Sequence, residues 1–124
     1  MFEISVKSSF SGAHRLKGYK GKCESLHGHN WDVEAFIGTK KLDAGGLSMD
    51  FKDLKKKLNE ALETLDHRDL NGIAFFKRSN PSAENIAKYI YDYLKKALKG
   101  SSRKVSLRRV SVWETKDSRA TYFE

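Results

Sequence analysis

The chain has 124 residues, 39% of them hydrophobic and 32% charged, and a formal net charge of +8 at pH 7. That length holds one hydrophobic core and buries roughly two-thirds of the unfolded surface, so no disulfide or metal is needed merely to fold. The apolar runs fall far short of the ~20 residues of a membrane span, and the composition is globular rather than disordered.

The start, Met1-Phe2-Glu3-Ile4, lacks the basic and apolar blocks of a secretory signal. The single cysteine excludes an internal disulfide, and a cytoplasmic protein is expected. Residues 2–10 alternate, with Phe2, Ile4, Val6 and Phe10 on one parity and Glu3, Ser5 and Lys7 on the other, which predicts a half-buried strand. Residues 29–37 alternate again, Trp31, Val33, Ala35 and Ile37 against Asn30, Asp32 and Glu34, and Gly45-Gly46 follows in a loop.

From Asp50 the period lengthens. Phe51, Leu54, Leu58, Ala61, Leu62 and Leu65 recur at three and four residues, an amphipathic helix with Asp50 as its N-cap. Asn80-Pro81 announces a second helix, with Asn80 as cap and Pro81 at the first helical position. Its stripe is Ile86, Ile90, Tyr93, Leu94, Ala97 and Leu98, and Gly100 stops it. Residues 104–115 and 119–123 predict two closing strands joined through Lys116-Asp117-Ser118. The apolar parity slips from Val105 and Leu107 to Val110 and Val112, which predicts a bulge near Arg108-Arg109. No repeat or low-complexity stretch interrupts this order. The expectation is one α+β domain over residues 1–124, ordered β-β-α-α-β-β, with a four-stranded antiparallel sheet and two helices on one face. Such a sheet leaves edges to be covered, and oligomerisation is the expected cover.

Of four histidines, three fall within positions 14–29. In His27-Gly28-His29 the two rings share a face on an extended segment, the face of Trp31 and Val33. Two neutral imidazoles on a buried face are costly unless they have partners, and a metal ion gives both a use. His14 follows the first strand, and a hairpin would bring it alongside. Three nitrogens leave a fourth zinc position open, the pattern of a catalytic site. Cys23, four residues before His27, reads as a fourth ligand, as a thiolate base or nucleophile, or as an inert thiol. Asp66-His67 stands where the first helix ends, either as a cation favoured by the helix dipole or as a proton relay. Neighbouring side chains rarely face each other, so a relay is expected to draw a partner from elsewhere. Glu114 shares the parity of Val110 and Val112, an apolar face. It reads either as a bidentate acceptor for two adjacent N–H donors or as a strand end open to water. The positive charge suits a phosphorylated small molecule or nucleic acid, yet Lys55-Lys56-Lys57 and Lys95, Lys96, Lys99 lie on helical stretches where lysine ordinarily faces water.

The runs Phe10-Ser11-Gly12-Ala13-His14-Arg15-Leu16 and Cys23-x3-His27-Gly28-His29 resemble the 6-pyruvoyltetrahydropterin synthase and 6-carboxytetrahydropterin synthase family. So do Met49-Asp50-Phe51-x2-Leu54-Lys55, Leu65-Asp66-His67-x2-Leu70-Asn71, Asn80-Pro81-Ser82-Ala83-Glu84-Asn85-Ile86-Ala87 and Glu114-Thr115, from about residue 4 to 123. The resemblance implies the tunnelling fold, in which subunits join their sheets into a barrel and two trimers stack as a hexamer with active sites between subunits. It implies Zn2+ on His14, His27 and His29, a catalytic Cys23 with Asp66 and His67 as acid–base pair, and Glu114 with Thr115 binding the pterin edge. The implied substrate is 7,8-dihydroneopterin triphosphate. The Cys-x3-His-Gly-His spacing is similar to the carboxy branch, a carbon–carbon lyase that releases acetaldehyde and triphosphate on the way to 7-deazaguanine and queuosine. The alternatives are the pyruvoyl branch, which keeps the side-chain carbons, and a non-enzymatic zinc domain binding nucleic acid, for which no motif or interleaved aromatics are present. Ser82 departs from the threonine usual in the family at that position. Neither nucleic acid nor membrane is an expected partner.

Overall fold

The computed structural model describes residues 1–21, 24–101 and 104–124. β1 (Phe2–His14) and β2 (His27–Thr39) form a long antiparallel hairpin in unbroken register, from Phe2 opposite Thr39 to His14 opposite His27. After α1 (Phe51–Glu63) comes β3 (Arg68–Asp69), and after two single-turn 3₁₀ helices comes α2 (Ala83–Lys99). β4 (Ser106–Thr115) and β5 (Ser118–Tyr122) close the chain through a two-residue turn, Lys116-Asp117. The sheet order is β3-β1-β2-β4-β5.

The alternation of β1 and β2 turns Phe10, Trp31, Val33, Ala35 and Ile37 onto the face covered by the helices, where they are buried with Val110 and Val112 of β4. α1 meets them with Leu54, Leu58, Ala61 and Leu62, and α2 with Ile86, Ala87, Ile90, Leu94 and Leu98. Each buried Val, Leu, Ile or Phe among them contributes about 1.5–3 kcal/mol by leaving water. The expected bulge is present: Phe36 pairs with Arg109 and Ile37 with Leu107, so Arg108 is the extra residue.

Three expectations are corrected. The sheet is mixed and five-stranded rather than antiparallel and four-stranded, because β3 runs parallel to β1 beside Gly12 and Ala13. Two residues carry no periodicity, so nothing in the sequence announces that strand. Phe51 opens α1 but is exposed, and the buried stripe begins at Leu54. α2 is capped by Ser82, whose side chain accepts from Asn85 N–H, so Pro81 precedes the cap instead of occupying the first turn. The serine hydroxyl meets the helix's free N–H groups, and Asn80 is released for another use. Among the described residues no strand pairs with the edge of β1 away from β2 between Phe2 and Ser11, or with the outer edge of β5.

Candidate metal centre

His14 ends β1 and His27 begins β2, directly opposite; His29 lies two residues further on, opposite Gly12. The hairpin therefore gathers three imidazoles at one end of the buried face. Their ring centroids are 4.6 Å (His14–His27), 4.9 Å (His27–His29) and 5.3 Å (His14–His29) apart, with planes steeply crossed. Trp31 walls the cluster, its ring edge-on to His14 and His29, while its indole N–H donates to the Gly12 carbonyl at 3.1 Å.

Glu114 reaches the same place by a second irregularity. Trp113 pairs with Arg119 and Thr115 with Ser118, which leaves Glu114 as the extra residue of a bulge. Bulges re-aim side chains, and this one brings the carboxylate to 3.3 Å from His29 Nε2. Ligand atoms of His14, His27, His29 and Glu114 all lie within 4.8 Å of one another, a group that could hold a metal ion.

The hydrogen bonding of the rings supports that use. His14 Nδ1–H donates to the Pro81 carbonyl at 2.6 Å, and His27 Nδ1–H to the Ser25 carbonyl at 2.8 Å. A carbonyl only accepts, so both Nδ1 atoms carry the proton and both Nε2 atoms are bare lone pairs. Among the described residues His14 Nε2 and His29 Nε2 are buried with no hydrogen-bond partner, the Glu114 oxygen being near His29 but poorly aligned. A buried polar atom left unmet costs about 1–3 kcal/mol, and a cation between them removes that cost. Burial chiefly, with the neighbouring His14 and His27, holds the His29 imidazole below its ordinary pKa against the opposing pull of Glu114. The favoured form is thus the neutral, metal-binding one.

Asp66 and His67 are brought together directly, contrary to the expectation that adjacent side chains face apart. His67 adopts a left-handed backbone, φ +56°, and that turn folds its ring back until Nδ1 is 2.9 Å from Asp66 Oδ2. Asp66 Oδ1 accepts from Ser11 N–H at 2.9 Å, and His67 N–H donates to the Ser11 carbonyl at 2.6 Å. The Ser11 N–H first, and then His67, hold the Asp66 carboxyl below its usual range. With Nδ1 committed to Asp66, the largely exposed His67 ring offers Nε2 for proton transfer. His67 opens on a cavity of about 490 Å³ lined by Ser11, Ala13, Gly28, His29, Asn30 and Asp69. Ser11, Ala13, Gly28 and Asn30 have the parity opposite to the three histidines, while His29 of the cluster lines the same cavity.

A family model described as 6-pyruvoyl tetrahydropterin synthase matches residues 3–124. The chain belongs to this family. A relative from Archaeoglobus fulgidus with the provisional name 6-carboxy-5,6,7,8-tetrahydropterin synthase is 40% identical over 114 residues, 92% of this chain and 89% of that one. A Pyrococcus furiosus protein named dihydroneopterin monophosphate aldolase is 39% identical over 112 residues, 90% of this chain and 88% of that one. The solved 6-pyruvoyl tetrahydropterin synthase of Caenorhabditis elegans superposes with a TM-score of 0.83 at 29% identity, covering 99% and 95% of the two chains.

Within this pterin synthase, Thr115 is exposed where it pairs with Ser118 and lies outside the group of four. Cys23 falls outside the described residues. Glu24, which the sequence reading passes over, holds Leu16 by accepting from its N–H at 2.9 Å, and its charge acts on His29. Its signal was there to be seen: an acidic residue between Cys23 and His27 is a second acid–base candidate at the cluster. Among the described residues no helix is long and apolar enough to cross a membrane.

Proposed function

We propose that the protein is a zinc-dependent carbon–carbon lyase, a 6-carboxytetrahydropterin synthase acting on 7,8-dihydroneopterin triphosphate. With water, that substrate yields 6-carboxy-5,6,7,8-tetrahydropterin, acetaldehyde and triphosphate, a step toward 7-deazaguanine and queuosine. One observation carries the reading: the three-histidine cluster in which the buried Nε2 atoms of His14 and His29 have no hydrogen-bond partner among the described residues.

His14, His27 and His29 hold the ion. Bound there, zinc supplies Lewis-acid polarisation of the substrate's side-chain oxygens. Glu114, turned inward by its bulge, accepts from the adjacent N–H groups of the pterin ring, with Thr115 beside it. Cys23, as thiolate, takes a proton from the side chain. His67, held by Asp66, carries a second proton on Nε2. The ring is reduced at the expense of its own side chain, so no nicotinamide is needed. The dyad serves the site of a neighbouring copy. The open edges of β1 and β5 suit subunits that continue the sheet around a barrel, and two stacked trimers give a hexamer. A single cysteine suits the reducing cytoplasm.

A second reading has its own support. The similarity to the Pyrococcus furiosus aldolase is within one percentage point of that to the carboxy-type relative, and Glu24 follows Cys23 directly in the sequence. That reading is a retro-aldol cleavage of a dihydroneopterin phosphate between its first two side-chain carbons. Zinc-loaded protein is incubated anaerobically with dihydroneopterin triphosphate and, separately, with the monophosphate, and products are identified by mass spectrometry. A 6-carboxy product with acetaldehyde is expected. A 6-hydroxymethyl product supports the aldolase, a 6-pyruvoyl product the pyruvoyl branch, and no turnover by zinc-loaded protein defeats all three.

A further inference from the structure

His14 is almost fully buried, and a carbonyl from outside the hairpin orients its ring. That carbonyl, of Pro81, sits in the short turn ahead of α2, and the turn is braced on both sides. The Asn80 carbonyl accepts from Ser82 N–H and from Asn85 Nδ2–H, each at 2.8 Å. The Asn80 side-chain amide clamps the backbone of Lys17, accepting its N–H and donating to its carbonyl, both at 2.9 Å. Asn71 clamps Arg15 in the same two-point manner, at 2.9 and 3.0 Å. Glu24 grips Leu16 between them, at 2.9 Å through its carboxylate and 3.2 Å through its N–H. The segment leaving His14 has run out of strand partners, and three side chains stand in for a strand. His14 is thus held at its ring and along its following main chain by one structure, the Asn80–Asn85 turn and its clamps.

We propose that Asn85 and Asn80 are positioning residues for His14. Asn85 locks the turn, the turn aims the Pro81 carbonyl, and that carbonyl fixes the tautomer presenting Nε2 to the cluster. Partners of this kind commonly set a metal ligand's orientation and basicity. The inference rests on the metal reading above. Its bland competitor is that Asn85 serves only the start of the helix.

One isosteric substitution separates the two. Asn85→Asp keeps the size and the backbone N–H that Ser82 accepts, and a carboxylate suits the positive end of a helix. It has no N–H for the Asn80 carbonyl. In N85D we expect zinc affinity, measured by competition with a chromogenic chelator, to fall about 10–100-fold. The visible bands of the Co2+-substituted protein shift or weaken, and the melting temperature of the metal-free chain is not lowered. Asn85→Ala, which removes the donor without adding charge, is measured alongside and is expected to lose affinity in the same range; it carries the test should N85D not fold. Affinity within twofold of wild type and an unchanged cobalt spectrum overturn the proposal. So does a loss of affinity matched by a lower metal-free melting temperature, which assigns Asn85 to folding alone. Wild-type protein that takes up no zinc sinks the metal reading instead, so the two failures are distinct.

Discussion

The histidine cluster and the Asp66–His67 dyad flank the same strand, β1, and could hardly be built more differently. The cluster is enclosed: His14 is buried, walled by Trp31, and the side chains gathered there come from β1, β2 and β4 of one chain. The dyad is exposed and sits past the edge of β1, held to Ser11. Cation binding rewards burial and complete ligation, because the ion offsets what the desolvated imidazoles lose. Proton transfer requires access, because His67 Nε2 must reach a reacting atom.

The largest effect expected from this contrast is in the cluster. His27→Ala should drop zinc content from stoichiometric to a small fraction and abolish turnover; metal analysis of the purified variant checks it, and full zinc content would break the assignment. Next comes the dyad. His67→Ala should retain zinc and lower kcat about 10²–10⁴-fold, while Asp66→Asn should act in the same direction through the lost orientation of His67. Zinc loss in either variant would erase the division between the two regions. Glu114→Gln is expected to keep zinc and weaken substrate by about 10–100-fold in KM, the scale of one charged hydrogen bond. A loss of zinc there would make Glu114 a ligand instead.

A smaller effect follows from pH. His29 has a folded pKa below its unfolded value of about 6.5. The unfolded chain therefore binds more protons as pH falls through that value, and the metal-free fold loses stability below about pH 6.5. Melting curves of metal-free protein between pH 7.5 and 5.5 should show it, with His29→Gln flattening the trend. Asp66 shifts in the direction that gives stability above the ordinary carboxylate range and loses it as pH falls through its lowered folded value, which separates the two groups on the pH axis. The smallest effect lies away from both sites: Asp50→Ala removes the α1 cap and should cost about 1 kcal/mol in denaturant unfolding with zinc content unchanged.

The strands, helices and Arg108 bulge were legible because each rests on a local pattern: alternation, a three-four period, or a slip of parity. The three histidines were legible because i and i+2 on a strand share a face. The capping of α2 was misread because both Asn80 and Ser82 suit a cap, and the choice depends on Asn80 being occupied by Lys17, 63 residues away. The Asp66–His67 contact was missed because a left-handed φ at a histidine has no sequence signature.

By itself, then, the sequence determined an α+β order, a buried face, and three imidazoles able to converge on it, since these follow from side-chain periodicity along single elements. Only the tertiary structure decided which ring nitrogens are bare, that Glu114 turns inward beside His29, and that His67 folds back onto Asp66. Those depend on carbonyls, bulges and strand pairings contributed from distant parts of the chain, where pairing geometry and not residue spacing sets the outcome.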